Sequence, residues 1–218
     1  MNIILGSQSP RRRELLNGLD IPQTWAEESP QACVVGCQVS IDADESYPAD
    51  LKGGDIPKYI ARAKADAYTR THALGANDLL ITSDTIVWLD GQVLGKPHSE
   101  DEAKAMLRSL SGRTHQVFTA VTFAHRSSSE DAAITFTTEV DRTDVTFDPL
   151  TDADIDYYIT NYKPFDKAGA YGIQEWIGYI AACRINGSYF TVMGFPTHLV
   201  HRYLKRFGTC PASDRSKR

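Results

Sequence analysis

From His115 to Phe147 the sequence alternates apolar and polar residues where a helix would repeat every third or fourth. The stretch holds "QVFTAVTFAH" and two further alternating runs, with "RSSSEDA" as the break between strands. A period of two suits strands buried on one face, and runs separated by a polar break pair antiparallel. Much of this chain is therefore antiparallel sheet, and the other segments must supply helices and further strands.

"NIILG" is short, apolar and closed by Gly6, so it reads as a buried strand. In the following "SQSPRRRELL", Ser9 offers an oxygen to the orphan amides of a helix start and Pro10 has no amide to orphan. Leu15, Leu16 and Leu19 then face the core. Gln23 to Ser46 is poorly patterned, although "VVGCQVSI" can hold a strand ahead of the acidic run "DADES". Between Asp55 and Leu74, Ile56, Ile60, Ala63 and Ala67 recur at helical spacing, with Asp55 as a cap ahead of Pro57 and Lys64 beside the stripe. "DLLITSDTIVWLDGQVLGKP" gives a strand, a polar break at Ser83, Asp84 and Thr85, and a hairpin around Asp90 and Gly91, whose pairing supplies the positive φ of a type I′ turn.

Ser99 with Glu102 three residues on matches a capping box, and Ala103, Met106, Leu107 and Leu110 form the stripe of the next helix. Thr151 caps another helix bearing Ile155, Tyr158, Ile159 and Tyr162, with Leu150 and Ile155 placed as a hydrophobic staple. "IAACRI" and "SYFTVM" around Asn186 and Gly187 predict a second hairpin. Pro196 opens the last helix, with Leu199, Val200, Tyr203, Leu204 and Phe207 apolar and Gly208 as terminator. The expected fold class is α/β, a mixed sheet flanked by helices, in one domain over 1–208 with a mobile tail over 209–218.

A net charge of -5 argues against backbone-driven nucleic-acid binding, which needs a basic domain. No long apolar run and no basic leader before "NIILG" points to a cytoplasmic protein without a membrane partner. Cys33, Cys37, Cys183 and Cys210 are too few and too scattered for a disulfide scaffold or a four-ligand zinc site, and read as reduced thiols. A two-thiolate clip at Cys33 and Cys37 has no histidine nearby to complete it.

Arg11, Arg12 and Arg13 sit in a first helical turn that the helix dipole already makes positive. A polyanion resolves the conflict, because amides, dipole and guanidiniums then aim at one phosphate chain. Arg11 and Arg12, beside Ser7 and Ser9, are the candidate phosphate ligands; Arg13 reads as a solvated residue. Asp84 is placed either to bind Mg²⁺ and accept a proton from water, or to cap its own turn. Glu45 is either a second metal-facing carboxylate or part of a solvated acidic loop. Lys64 and Lys96 suit phosphate neutralisation, against snorkelling or turn decoration. "DKAGAYGIQ" has little side-chain bulk, so a ligand can approach its backbone, and Gln174 offers a donor and an acceptor to a base edge; a tight connection is the alternative. Walker and nucleophile-elbow motifs are absent, and His72, His98, His125, His198 and His201 receive no role.

"SQSPRRRELL", "DADES", "ARAKA", "TSDTIV", "GKP", "LSGRTHQVFTAV", "DKAGAYGIQ" and "GSYFTVMGFP" stand in the order found in the Maf family of nucleotide pyrophosphatases, which the chain resembles from Ile3 to about Phe207. The resemblance implies hydrolysis of nucleoside triphosphates to monophosphate and pyrophosphate, on a fold like that of the inosine triphosphate pyrophosphatases, in a homodimer that needs a divalent cation, Mg²⁺ or Mn²⁺. "DKAGAYGIQ" looks like the branch acting on dTTP and UTP; the branch acting on 7-methyl-GTP ends that loop in Glu. By the same resemblance Asp84 is the proton acceptor, and Arg11, Thr85 and Gln174 match positions that govern substrate choice. Ser7, Arg12, Glu45, Lys64 and Lys96 match polar residues lining the pocket, with Glu45 and Asp84 as the metal pair. Competing readings are a nucleotide-binding regulator of division without catalysis, and a pyrophosphatase for 7-methyl-GTP or modified purines.

Overall fold

The computed structural model describes residues 2–20, 39–76, 78–126 and 133–206. Its centre is a six-stranded mixed sheet. The strands are β1 (Asn2–Gly6), β2 (Asp78–Leu89), β3 (Gln92–Leu94), β4 (Thr114–Arg126), β5 (Ile134–Phe147) and β6 (Ala182–Asn186). Their order is β1-β2-β4-β5-β6, with β3 also on β2; only β1 pairs parallel, to β2. The helices are α1 (Pro10–Asn17), α2 (Asp55–Thr71), α3 (Glu100–Leu110), α4 (Asp152–Tyr162), α5 (Trp176–Ala181), α6 (Tyr189–Val192) and α7 (Thr197–Arg206). The expected α/β class with a mixed sheet and flanking helices is what the chain forms.

Strand periodicity distributes the helices. Leu79 and Ile81 of β2 face a core built with Leu15 and Leu16 of α1 and Leu199, Val200 and Tyr203 of α7. Leu80 faces the other way, toward Ala65 of α2, and Ile86 meets Ile56 and Ile60 on that same side. Farther along, Val87 joins Leu107, Tyr158 and Ile177 in a core under α3, α4 and α5. Each such leucine, isoleucine or valine, fully buried, contributes roughly 1.5–3 kcal/mol.

Local signals set most element ends. Ser9 accepts the Arg12 amide, with Pro10 as the first helical residue. Thr151 and Asp154 close a reciprocal capping box. Ser99 accepts the Glu102 amide as expected, while the Glu102 carboxylate reaches the His98 amide at 2.7 Å. Asp90 and Gly91 have φ of 50° and 83°, as the β2–β3 hairpin needs.

Other expectations are corrected. Asp84 does not end a strand: β2 runs unbroken from Asp78 to Leu89, because its polar residues find partners on both faces. The two alternating runs after "RSSSEDA" are one strand, β5, paired with β4 from Ile134 to Thr146. Asp55 is the first residue of α2 rather than its cap; its carboxylate takes Lys58 instead. Ala61 and Ala65, rather than Ala63 and Ala67, are the buried alanines of α2. "SYFTVM" forms no strand. A type I′ turn needs two positive φ values, but of the pair only Gly187 has one, at 135°, and the chain turns into α6 across the sheet, where Thr119 and Asp141 bind Thr191. β6 pairs with β5 instead. Most of "VVGCQVSI", Cys33, Cys37, Phe207, Gly208, Cys210 and the 209–218 tail lie outside the described residues; Cys183 is an exposed free thiol.

Candidate active site

β1 pairs with β2 as far as Thr82, and β3 takes up the same strand again only at Val87. From Ser83 to Ile86, β2 has β4 on one side and, among the described residues, no strand on the other. A cleft of about 770 Å³ opens onto this interval. It is lined by Ser7, Arg11, Arg12, Glu45, Lys64, Asp84, Thr85, Lys96 and Gln174, so every residue singled out from the sequence reaches one place.

Residues in the interval alternate in direction, as strand residues must. Asp84 turns to the α2 side, where the Lys64 ammonium donates to its Oδ1 at 2.7 Å. The same ammonium lies 2.7 Å from Glu45 Oε1, and Lys96 stands 3.8 Å from Glu45 Oε2. Glu45 is presented by an Asx turn in which Asp44 accepts both the amide and the hydroxyl of Ser46. Burial pushes the Asp84 carboxyl above its ordinary range, against the pull of Lys64 and Arg12. Burial pushes Glu45 the same way, but its hydrogen bond to Lys64 and the charges of Lys64, Lys96 and Arg12 outweigh that and hold it low. One ammonium thus serves two carboxyls of opposite tendency, a separation that supports distinct roles.

Ser83 and Thr85 turn to the α1 side and meet Arg12. Its Nε donates to the Gly194 carbonyl at 2.8 Å, and its Nη1 to the Ser83 carbonyl at 2.8 Å and to Ser7 Oγ at 3.2 Å. Nη2 donates to Thr85 Oγ1 at 3.3 Å. Burial lowers the pKa of this guanidinium, with Asp84 opposing. Arg12 thus binds four parts of the fold and leaves a single N–H for a ligand. Thr119 spends its hydroxyl hydrogen on the Thr191 carbonyl, so Thr85 must donate to Thr119 at 2.9 Å and can only accept from the cleft. Arg11 is the freer cation, with a weak contact to Asp166 at 3.4 Å. Arg13 is exposed, as its solvated reading requires.

The far wall is the loop before α5. Its 3₁₀ turn, Ala168–Ala170, is tied by the Gly169 amide to the Gly95 carbonyl beside Lys96. Gly169 has φ of 67°, and a Cβ there would stand 2.9 Å from Val87. Gln174 follows at the rim, half-buried. Lys167, which sequence reasoning passed over, is buried here between Asp166 at 2.6 Å and Glu175 at 3.2 Å. Its position inside "DKAGAYGIQ" was the available signal.

Two carboxyls facing one cleft can hold a divalent cation. Asp84 and Glu45 converge on a single point, now taken by an ammonium, and no larger cluster of His, Cys, Asp or Glu exists among the described residues. That donor set fits Mg²⁺ or Mn²⁺, which take one or two protein carboxylates and complete their shell with phosphate oxygens and water.

The sequence profile of the family described as Maf-like protein matches residues 2–207. A dTTP/UTP pyrophosphatase of Porphyromonas gingivalis is 48% identical over 206 residues, covering 94% of each chain. That of Bacteroides thetaiotaomicron is 48% identical over 94% of this chain and 95% of its own. That of Flavobacterium johnsoniae is 43% identical over 93% of both.

Proposed function

The chain belongs to the Maf-like protein family, and from that premise we propose that its cleft hydrolyses dTTP and UTP to the nucleoside monophosphate and pyrophosphate. One observation carries this reading: Asp84 stands where β2 has a strand on one side only among the described residues, within a cation-ringed cleft whose other wall bears Gln174.

Water attacks the α-phosphorus and pyrophosphate leaves. Asp84, with its raised pKa and its hold on Lys64, takes the proton of that water. Lys64, Lys96, Arg11 and the remaining N–H of Arg12 neutralise phosphate charge that shifts toward the leaving group. Ser7 is fixed by Arg12, and Thr85 accepts a hydrogen bond from the substrate. Glu45 and Asp84 would hold the divalent cation at the point where Lys64 now sits, and when bound it would neutralise phosphate charge and polarise a phosphoryl oxygen. Gln174 reads the base, offering one acceptor and two donors.

The proposal includes a homodimer, supported by the exposed Tyr179, Ile180, Tyr189 and Phe190; Tyr179 is 85% exposed. It also places the protein in the cytoplasm without nucleic-acid or membrane partners, in keeping with the net charge of -5. No helix among the described residues is long and apolar enough to cross a membrane.

The test is pyrophosphate release by purified protein with Mg²⁺ or Mn²⁺ from dTTP, UTP, CTP, 7-methyl-GTP, ITP and ATP, with sedimentation velocity for the dimer. Release selective for dTTP and UTP is expected. Release from 7-methyl-GTP or ITP alone would overturn the substrate assignment, and binding without any release would favour a nucleotide-sensing regulator.

A further inference from the structure

A glutamine amide is almost symmetric: turned by half a rotation about its last bond, it exchanges acceptor for donor. Thymine and uracil carry an N3–H donor, whereas cytosine carries an N3 acceptor and an amino donor. An amide free to turn therefore serves both kinds of base, and only a fixed one distinguishes them.

Glu175, the residue after Gln174, stands at the N-cap of α5 but makes no cap bond with its side chain. The carboxylate turns away and is held from two sides. Lys167 Nζ lies 3.2 Å from Oε1, and the hydroxyl of the fully buried Tyr158 donates to Oε2. The same Tyr158 oxygen accepts the Gly172 amide at 3.0 Å, and Gly172 O accepts the Glu175 amide at 2.9 Å. Gly172 thereby becomes the floor beneath both side chains. A Cβ on it would lie 3.0 Å from Glu175 Oε2 and 3.1 Å from Gln174 Nε2. Carboxylate oxygen and amide nitrogen thus both border the space that the glycine leaves empty; no hydrogen bond joins them, and the nearby negative charge favours the NH₂ end of the amide on its side.

We infer that Glu175, held by Tyr158 and Lys167, is a positioning residue that fixes the Gln174 amide with its oxygen toward the base, selecting bases with an N3–H over cytosine. The inference rests on the reading of Gln174 as the base-reading residue. Gly172 is part of the device, because any side chain there would displace the carboxylate or the amide.

The experiment compares kcat/KM for dTTP and dCTP, which share a sugar, in the wild type, Glu175→Gln, Tyr158→Phe and Gln174→Ala, and in the Gln174→Ala, Glu175→Gln double variant. Glu175→Gln keeps the shape and removes the charge; Tyr158→Phe keeps the ring in the core. Each is expected to reduce the dTTP preference about tenfold, with activity on dCTP unchanged or increased. Glu175→Gln should add nothing once Gln174 is alanine, since residues acting as a unit are not additive. A parallel loss on both nucleotides, with the ratio intact, would mean a merely structural role and overturn the inference, as would a wild type without dTTP preference. A Gln174→Ala variant that keeps the preference would instead overturn the reading of Gln174 itself.

Discussion

The Arg12 guanidinium donates to the Ser83 carbonyl at 2.8 Å, where β2 has lost one neighbouring strand. A strand carbonyl inside a protein needs a donor. Here a side chain from α1 supplies it, together with donors to Gly194, Ser7 and Thr85. Of the crowded arginines, one is thus held inside the fold, one faces the cleft and one faces solvent.

Arg12→Ala should lower stability by about 3 kcal/mol, since it leaves several acceptors without donors. Arg12→Lys should not restore it, because one ammonium cannot span the fork of partners. Arg11→Ala should change stability by less than about 0.5 kcal/mol while raising KM. Urea unfolding alongside steady-state kinetics separates these, and equal stability losses for Arg11 and Arg12 variants would contradict the assignment.

Asp84→Asn should reduce turnover about 10³-fold while nucleotide binding, measured by calorimetry, stays within a few-fold. Turnover near the wild-type value would remove Asp84 as the proton acceptor.

His115 is buried against Phe147 and Tyr171, with Nε2 2.7 Å from the Tyr171 hydroxyl, and burial pushes its pKa down to about 4. The unfolded chain binds this proton near pH 6.5 and the folded chain does not. The histidine's contribution is therefore intact above pH 6.5 and declines as pH falls toward about 4, by about 3 kcal/mol in all. His115→Gln should flatten that part of the stability profile. A wild-type minus variant difference that does not change with pH would contradict the shift.

Gly194 has φ of 97°, and a Cβ on it would come within 3.2 Å of Thr85 Oγ1. Gly194→Ala should cost about 1–2 kcal/mol and weaken substrate binding by disturbing Thr85 and Arg12 together. Thermal unfolding and KM for dTTP measure the two effects; a fully stable variant with unchanged KM would show that the crowding relaxes freely.

Short-range grammar was readable from the chain: Ser9 before Pro10, Ser99 with Glu102, Thr151 as a cap, and Asp90-Gly91 each stop or start an element for local reasons. The same grammar misled at "TSDT", where polar residues looked like a strand end. Ala61, Ala120, Lys64 and Arg12, all distant in sequence, satisfy the side chains of Thr82, Ser83, Asp84 and Thr85 and let the strand continue. "SYFTVM" has the composition of a strand, but Thr119 and Asp141 draw Thr191 across the sheet. The cleft residues could be named from motif order, yet the link from Lys167 through Glu175 and Tyr158 to Gly172 could not. It depends on a tyrosine one helix away, whose own signature is that of an ordinary core residue.

The flanking strands also act as a ruler. Because β1 stops at Gly6, opposite Thr82, and β3 resumes only opposite Val87, four residues of β2 stay open, roughly 13 Å at ordinary strand rise. The width of the doorway is therefore written in strand lengths rather than in any residue that would touch a nucleotide. Extending β1 or β3 by a residue or two would narrow it and draw Ser7 or Lys96, which follow those strand ends, into the sheet.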